Sequence, residues 1–478
     1  MTSAVEACYF IATILLILGL KRMSSPRTAR SGILWAGGGM ALAIVATFFY
    51  PAKLYSLHPH LAGGGFSGHR IVLILVAIAV GGVPAWWSGR KIAITNMPQM
   101  VAIYNGLGGG AAAAIAAVEF YSGHAYSDSL SVPVIAVAGA LAGTVAFGGS
   151  AIAFAKLQGW MKSPRFRGRQ VVNSILLAIA LLLGVCSIFP SSASIIRIPE
   201  FWTVTLFFPA CLIVGILITL PIGGADMPVI ISTYNACIGL AVGFEGYVMQ
   251  NPAMMILGTI VGAAGTLLTL LMAKAMNRSF AQVWLSDFGD VEAASAGGVE
   301  TRTMQAMEPS DAAATMAYSE QVIIVPGYGL AVAQAQHKLW DFAQLLQKRG
   351  VKVRFAIHPV AGRMPGHMSV LMAEAGVPYD LIFDLDEINA DFANTDVALV
   401  IGANDVVNPA ARTEKSSPIY GMPILNVDQA RQVLVIKRGK GAGFSGVQNE
   451  LFFSPNTHMV FGDAQDVINK MIQSLREL

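Results

Sequence analysis

The sequence predicts an α-helical polytopic membrane bundle of about nine spans, followed by an α/β domain built on a Rossmann-like, doubly wound parallel sheet. Three observations carry this prediction. Of 478 residues, 55% are hydrophobic and only 12% are charged, where soluble domains carry roughly 25% charged residues. The deficit is concentrated in residues 1–276, where apolar runs long enough to cross a bilayer recur. From residue 316 onward, short β-branched runs alternate with helical patterns, as in a parallel sheet covered on both faces. The expected division is a transmembrane region at 1–276, a flexible linker at 277–315 and an α/β domain at 316–478.

The net charge of +3 is no nucleic-acid signature, because the basic residues sit in short loops between apolar runs. Cys8, Cys186, Cys211 and Cys237 all lie in apolar stretches without a Cys-x-x-Cys pair, so buried, inert thiols are expected rather than disulfides or metal ligands.

The apolar segments fall near 4–20, 31–50, 70–87, 97–118, 131–155, 170–190, 202–220, 226–248 and 252–275. In the first, Lys21 and Arg22 follow the apolar run instead of preceding it. This argues for a retained helix over a cleaved signal peptide. The loops alternate in charge. The first, third and fifth are basic (Lys21, Arg22, Arg27 and Arg30; Arg90 and Lys91; Lys156, Lys162, Arg165, Arg167 and Arg169). The second has Lys53, three histidines and, at its edge, Arg70, the fourth carries Glu119 and Asp128, the sixth sets Arg197 against Glu200, and the eighth has Glu245. Basic loops face the cytoplasm. The N-terminus is therefore expected outside and, after an odd number of spans, the C-terminal third inside. His58, His60, His69 and His124 then fall in outer loops, where solvated histidines are the default reading over a metal cluster.

Two segments share a pattern. Asn96-Met97-Pro98 leads to Tyr104-Asn105, and Asp226-Met227-Pro228 leads to Tyr234-Asn235. A capping residue precedes a proline in the first turn, and an Asn follows nine positions after the cap. At ~1.5 Å per residue that is ~13–14 Å, near the middle of a ~30 Å hydrocarbon core. Two helices thus place an amide at mid-membrane depth, where it should face a bundle interior or a water-filled path. The alternative is interhelical hydrogen bonding, with Asp226 a simple N-cap. Ser150, after Gly148-Gly149, is a further polar group in an apolar helix that could merely bond its own backbone. Gly108-Gly109-Gly110 reads as close helix packing.

Between 286 and 314, Ala, Ser, Gly, Glu and Asp dominate and apolar periodicity vanishes, as in a tether. Beyond it, the β-branched run 322–325 ends in a turn carrying Gly327, Tyr328 and Gly329, followed by an Ala-rich helical pattern with Ala331 and Val332. This is a variant of the dinucleotide fingerprint, with Val332 in the third small-residue position. Gly329 would let the backbone approach a pyrophosphate lying on the helix N-terminus. Further strands are expected at 351–357, 381–384, 397–401, 423–427, 433–437 and 459–461.

Ligands on such sheets bind at the carboxyl ends of the strands. The second strand ends at His358-Pro359, without the Asp or Glu that bonds an NAD ribose, which leaves room for a 2′-phosphate. The loop Val360-Ala361-Gly362-Arg363-Met364-Pro365 carries one cation among turn formers. The loop Gly402-Ala403-Asn404-Asp405-Val406 carries a carboxylate suited to a switch or an amide contact. Lys437-Arg438-Gly439-Lys440-Gly441-Ala442-Gly443-Phe444 combines phosphate-binding cations with flexible glycines. Asp463 and Ala464, after the last strand, complete the candidate cofactor contacts. The acidic runs 384–387 and 391–396 read as a solvated face.

The motifs Gly-Tyr-Gly-Leu-Ala-Val-Ala-Gln (327–334), His-Pro-Val-Ala-Gly-Arg-Met-Pro-Gly-His (358–367), Gly-Ala-Asn-Asp (402–405), Lys-Arg-x5-Phe-Ser-Gly-Val-Gln-Asn (437–449) and Asp-Met-Pro-Val (226–229) together resemble the beta subunit of the proton-translocating NAD(P) transhydrogenases. The resemblance covers nearly the whole chain. It implies NADP(H) on this chain, NAD(H) on a partner alpha subunit or subunits, and hydride transfer coupled to proton movement into the cytoplasm. It also implies a bacterial cytoplasmic (inner) membrane location among lipids, and a second copy of the complex in an alpha2beta2-like dimer. Lys437 and Arg438 would hold the 2′-phosphate, 360–365 would line the cofactor, and Asp405 would take part in coupling. Asn105, Ser150, Asp226 and Asn235 would line or gate the proton route. Two departures matter: Phe444 stands where the family often has Tyr, and Asn105 where some members have His. Hydride transfer needs no protein acid or base, so no classical catalytic residue is expected. The rival reading is an ion transporter or channel whose nucleotide domain only senses redox state.

Overall fold

The computed structural model describes residues 2–23, 26–57, 68–123, 130–161, 169–188, 200–222, 227–276, 304–363, 366–415, 417, 419–439, 441, 443 and 445–478. Among them, nine helices are long and apolar enough to cross a membrane. They are α1 (Thr2–Met23), α2 (Pro26–Leu57), α3 (Gly68–Lys91), α4 (Met97–Tyr121), α5 (Ser131–Leu157), α6 (Arg169–Ile188), α7 (Glu200–Thr219), α8 (Met227–Val248) and α9 (Pro252–Ala275). The first is longer than its apolar run alone indicates, and α2 continues to Leu57, beyond the expected end at 50.

Apolar lipid offers helices no hydrophobic reason to associate, so close backbone approach through small residues holds them together. A Cβ on Gly109 of α4 would stand 2.8 Å from the carbonyl oxygen of Gly143 on α5, which accounts for the triple glycine as packing. Between α8 and α9 the contacts pair Gly239 with Gly262, Gly243 with Gly258 and Ala236 with Gly265. Lys156, at the end of α5, donates to the carbonyls of Leu220 and Ile222 just past α7, where helix carbonyls lack partners and a cation is favoured.

By their contacts, residues Met1–Phe154, Gly168–Thr219 and Thr233–Thr266 form one unit. Ala155–Arg167, Leu220–Ser232 and Leu267–Leu478 form the other. The second unit contains a seven-stranded, wholly parallel sheet. Its strands are β1 (Gln305–Ala306), β2 (Gln321–Pro326), β3 (Lys352–Ile357), β4 (Ile382–Asp384), β5 (Val397–Ile401), β6 (Gln432–Lys437) and β7 (Thr457–Phe461). They lie in the order β1-β7-β6-β5-β2-β3-β4. Chain order reverses between β2 and β5, so the crevice at their carboxyl ends is the topological switch point. The central strands are buried on both faces, which explains their continuous apolar runs. Helices α10 (Pro309–Ala317), α11 (Tyr328–Val332), α12 (Gln336–Lys348), α13 (His367–Glu374), α14 (Leu385–Ile388), α15 (Ala410–Thr413) and α16 (Ala464–Glu477) connect or cover the strands.

Several expectations are corrected. The expected strand at 423–427 is not one. Pro423 has no N–H to give to a ladder, and its carbonyl accepts from His358 Nε2 at 2.7 Å. Around it, the Asn389 side chain bonds both the Ile424 carbonyl (3.0 Å) and the Asn426 N–H (2.8 Å), while Leu425 N donates to Val406 O (3.0 Å). Residues 304–315, placed in the linker, contain β1 and most of α10; 277–303 lie outside the described residues. The helix after the glycine turn is two helices, broken where Gln334 takes a left-handed φ of 50°. The acidic runs are not merely solvated. Asp384 and Glu387 form a capping box on α14. Asp391 pairs with Arg354 (2.5 Å), and Asp396 pairs with Arg431 (2.9 Å) while accepting the N–H groups of Glu320 and Gln321. Finally, Asn96 does not cap α4: it ends a 3-10 turn, Ile94–Asn96, with no side-chain bond to the helix, although Pro98 does sit in the first turn.

Candidate functional site at the switch point and the polar layer of the bundle

Five loops meet the carboxyl edge of the sheet, one after each of β2, β3, β5, β6 and β7. The loops after β2 and β5 are in direct contact. Gly327 N donates to Ile401 O (2.8 Å), and Gly329 N donates to Gly402 O (2.9 Å). A Cβ on Gly329 would stand 2.7 Å from the Cα of Gly402. Gly402 itself has a φ of +71°, and a Cβ there would meet Gly329 Cα at 2.7 Å. The fingerprint glycines thus serve first to join two loops at the switch point. Ala331 is buried, whereas Val332 is 43% exposed, so Ala331 takes the helix–sheet contact that the third small residue of the fingerprint makes.

After β3, His358 is buried with both ring nitrogens committed: Nδ1 accepts from Val360 N (3.2 Å) and Nε2 donates to Pro423 O (2.7 Å). Burial pushes its pKa down to about 4, against the pull of the Pro423 carbonyl, and the ring is neutral. It is a structural clamp with nothing left to offer a ribose. Ala361 N closes the turn on His358 O (3.0 Å). Gly362, at φ +127°, passes so near His367 that a Cβ would stand 2.7 Å from that residue's Cβ. The Arg363 guanidinium lies over the Tyr328 ring at 4.5 Å, and the His367 ring meets Tyr328 edge-on at 6.0 Å. Burial raises the Tyr328 pKa, opposed by Arg363. Burial and Arg363 both lower that of His367, whose Nδ1 accepts from Arg363 N (3.2 Å).

After β5 and β6 the chain builds a polar clasp. The Asp405 carboxylate accepts the Ser445 N–H (3.0 Å) and the Ser445 hydroxyl (2.8 Å). Gly443 lies so close that a Cβ would be 2.8 Å from Asp405 Cγ. The Asn404 amide oxygen, in the orientation its neighbours select, accepts from Lys437 Nζ (3.2 Å) and Gly443 N (2.8 Å). Asn449, buried, donates to Asn404 O (3.0 Å), and Asn408, also buried, donates to Gln448 O (3.1 Å). Lys437 Nζ bonds Gly441 O and lies 4.6 Å over the Phe452 ring. Burial lowers the Lys437 pKa, and the Asp405 charge opposes that fall. Arg438 and Gly439 are exposed beside it. Val406 and Ala403 are buried beneath. Gly462 N bonds Lys437 O (3.1 Å), which brings the loop after β7 alongside; there Asp463 caps α16 through Gln465 N (3.0 Å), and Ala464 is buried. The cleft therefore has two cationic side chains on a glycine-rich loop, a neutral stacked aromatic, and a carboxylate already engaged with backbone.

In the bundle, α4 and α8 both pack against α5 at the level of Gly149 and Ser150, the polar layer of the bundle. Ser150 is buried on α5, and a Cβ on Gly106, next to Asn105 of α4, would meet Ser150 Cβ at 3.3 Å. On α8, Tyr234 packs against Gly149 and bonds Thr219 through its hydroxyl at 2.5 Å. Asn105 and Asn235 are half-buried. Tyr104 bonds Ser88 (2.9 Å) and so ties α4 to α3. The two tyrosines preceding the asparagines are therefore anchors. Among the described residues no group of three or more His, Cys, Asp or Glu is placed to hold a metal.

The sequence profile described as NAD(P) transhydrogenase beta subunit matches residues 5–474. Two relatives, both from Rhodospirillum rubrum and both described as NAD(P) transhydrogenase subunit beta, are each 43% identical over 481 residues, covering 99% of this chain and 99% of their own. The chain belongs to the NAD(P) transhydrogenase beta-subunit family. As a beta subunit of such an enzyme it implies an alpha subunit as partner. For this transhydrogenase subunit, the switch point gathers the candidate residues Gly327, Tyr328, Gly329, Val360–Arg363, Gly402–Val406 and Lys437–Gly439. Asp226, Met364, Pro365, Lys440, Ala442 and Phe444 lie outside the described residues. Sequence reasoning missed Ser445 and Asn449 as partners of the β5 loop, and Asn408 within that loop as a partner of Gln448. The Ser-Gly-Val-Gln-Asn run was visible, but its hydrogen-bond partners are about 40 residues away in sequence.

Proposed function

We propose that this transhydrogenase subunit binds NADP(H) in the switch-point cleft and that its bundle conducts the protons that drive or follow hydride exchange with NAD(H) on the alpha subunit. The balanced reaction is NADH + NADP⁺ + H⁺(out) giving NAD⁺ + NADPH + H⁺(in). The observation that carries the nucleotide assignment is the contrast between β3 and β6. The β3 end presents a histidine whose ring nitrogens are both bonded to backbone, and no carboxylate for a ribose hydroxyl. The β6 end presents Lys437 and Arg438, a point charge and a forked donor suited to a phosphate monoester. When bound, the nicotinamide supplies the hydride chemistry. The chain's own work is to hold the ring in place and exclude water. Stacked Arg363 and Tyr328 form the wall on the β2–β3 side, and the Asp405–Ser445 clasp sets the position of the glycine loop.

For the membrane potential to reach the hydride, the cleft must have two states that proton occupancy favours differently. Moving one charge through ~100 mV supplies ~2.3 kcal/mol. Neither Asn105 nor Asn235 titrates near neutrality, so these amides order water or hydrogen-bonded partners along the route. The concentration of basic residues in the first, third and fifth loops supports an N-terminus outside and the sheet domain in the cytoplasm. The test is the assembled alpha–beta complex in sealed vesicles with NADPH and an NAD⁺ analogue. Reduction of the analogue with matched proton movement supports the reading; nucleotide-gated ion flux without reduction supports the rival, a regulated channel.

A further inference from the structure

Near the C-terminal end of α8 stands a carboxyl that the route above does not use. Glu245 is fully buried in the bundle, and among the described residues neither carboxylate oxygen has a hydrogen-bond partner. The space it fills exists because α5 has a glycine there: a Cβ on Gly139 would stand 2.6 Å from Glu245 Oε1. A structural glutamate would accept a hydrogen bond or pair with a cation; this one does neither. An unpaired buried carboxylate is strongly disfavoured, whereas the neutral acid is tolerated, so the site is built to hold a proton.

The elements around it are defined. From α4, the nearby acidic residue is Glu119. From α5 comes Gly139; the sole ionisable residue of that helix, Lys156, is at its other end. From α9, Met254 and Met255 pack on the neighbouring Gly246, and the sole ionisable residue of that helix, Lys274, is likewise remote. Tyr247, two residues along α8, bonds Ser131 at the start of α5 (3.4 Å).

Helical spacing puts this carboxyl on one side of the polar layer. At about 100° and 1.5 Å per residue, Glu119 lies about 21 Å along α4 from Asn105 and about 40° off the same face. On α5, Gly139 lies about 16 Å from Ser150 and about 20° off its face. Glu245 lies about 15 Å along α8 from Asn235 and about 80° off its face, but about 20° off the face of Tyr234, which packs on Gly149. α4 and α8 run one way and α5 the other, so all three positions fall on the same side of the layer.

We propose that Glu245 is a proton-loading group of the conduction route, sited between the polar layer and the face at the C-terminal end of α8, with Glu119 as its neighbour. This rests on the reading of the bundle as a proton conductor. Loading is the addition of one proton to the carboxylate, drawn from water on that side; release is its loss toward the Asn105–Ser150–Asn235 layer. No oxidant or other co-reactant is involved.

The test uses the alpha–beta complex in vesicles, with the pH varied only on the side facing Glu245. Glu245→Gln is expected to slow proton translocation at least tenfold and to flatten its dependence on that pH. Glu245→Asp is expected to recover part of the rate, and nucleotide binding is expected to be unchanged. Infrared difference spectra of the wild type are expected to show a protonated-carboxyl band that Glu245→Gln removes. Should Glu245→Gln not assemble, Glu245→Asp and Glu119→Gln carry the test through an altered pH profile. A pumping wild type alongside a Glu245→Gln variant with the same rate, pH profile and infrared band overturns the proposal. A wild type that transfers hydride without moving protons overturns the conduction reading instead.

Discussion

Replacing Asp405 with Ala removes the acceptor that ties the β6 loop to the β5 loop. Two hydrogen bonds are lost at once, at 3.0 Å to Ser445 N and 2.8 Å to its hydroxyl. A hydrogen bond to a charged group contributes ~1.5–3 kcal/mol net, and the lower end applies because the carboxylate is only half-buried. The pair is thus worth about 2–3 kcal/mol, equivalent to a roughly 30- to 150-fold rise in the population of the opened loop. Amide hydrogen exchange at 443–447 is expected to accelerate by that factor, and NADP(H) release, followed by nucleotide fluorescence in stopped flow, to accelerate with it. Asp405→Asn separates the causes. The amide can keep bonds to Ser445 but loses the charge that opposes the fall in the Lys437 pKa. It should leave exchange near wild type while weakening NADP(H) binding most at high pH. Exchange and release both unchanged in Asp405→Ala would refute the clasp.

Three further outcomes are expected. Gly402→Ala puts a methyl 2.7 Å from Gly329 Cα at a φ of +71°; left-handed backbone and overpacking together cost about 2–4 kcal/mol, read as a lower thermal midpoint that bound nucleotide only partly restores. His358 has its pKa depressed from the model-compound value of 6.5 to about 4. The unfolded chain therefore binds the extra proton first, and about 3 kcal/mol of stability present above pH 6.5 is lost as pH falls toward 4. His358→Asn should lack that loss, and identical pH–stability curves for the two proteins would count against it. Asn235→Ala removes a polar group worth ~1 kcal/mol at mid-membrane, so proton movement and hydride transfer should slow together by about fivefold in vesicles; unchanged pumping would remove Asn235 from the route.

What the sequence made legible follows the range of the forces involved. Spans α3 to α9 were readable to within a few residues because hydropathy is a local property of the chain. The buried strands β2, β5 and β6 were readable because their apolar runs end in glycine or cationic turns. The stretch 423–427 looked the same locally, yet Pro423, His358 and Asn389 send its backbone groups to side chains from distant loops. The edge strand β1 is two exposed residues and leaves no pattern. Charges were misjudged for the same reason: the partners of Asp391 and Asp396 lie about 35 residues away. Asp405 was legible as a residue suited to an amide contact, but its partner, Ser445, was not. In the sequence Glu245 reads only as an acidic residue near the end of the segment 226–248; its burial against Gly139 emerges from three-dimensional packing.

The account turns on a phosphorylated dinucleotide being held at the β6 end of the switch point. Calorimetric titration of the purified full-length protein with NADP⁺ and with NAD⁺ tests this most directly. Two charge-assisted contacts from Lys437 and Arg438, at ~1.5–3 kcal/mol each, predict NADP⁺ bound about a hundredfold more tightly or better, with the advantage collapsing in Lys437→Ala/Arg438→Ala. Equal affinities for the two nucleotides, or a preference that survives the double substitution, would contradict it.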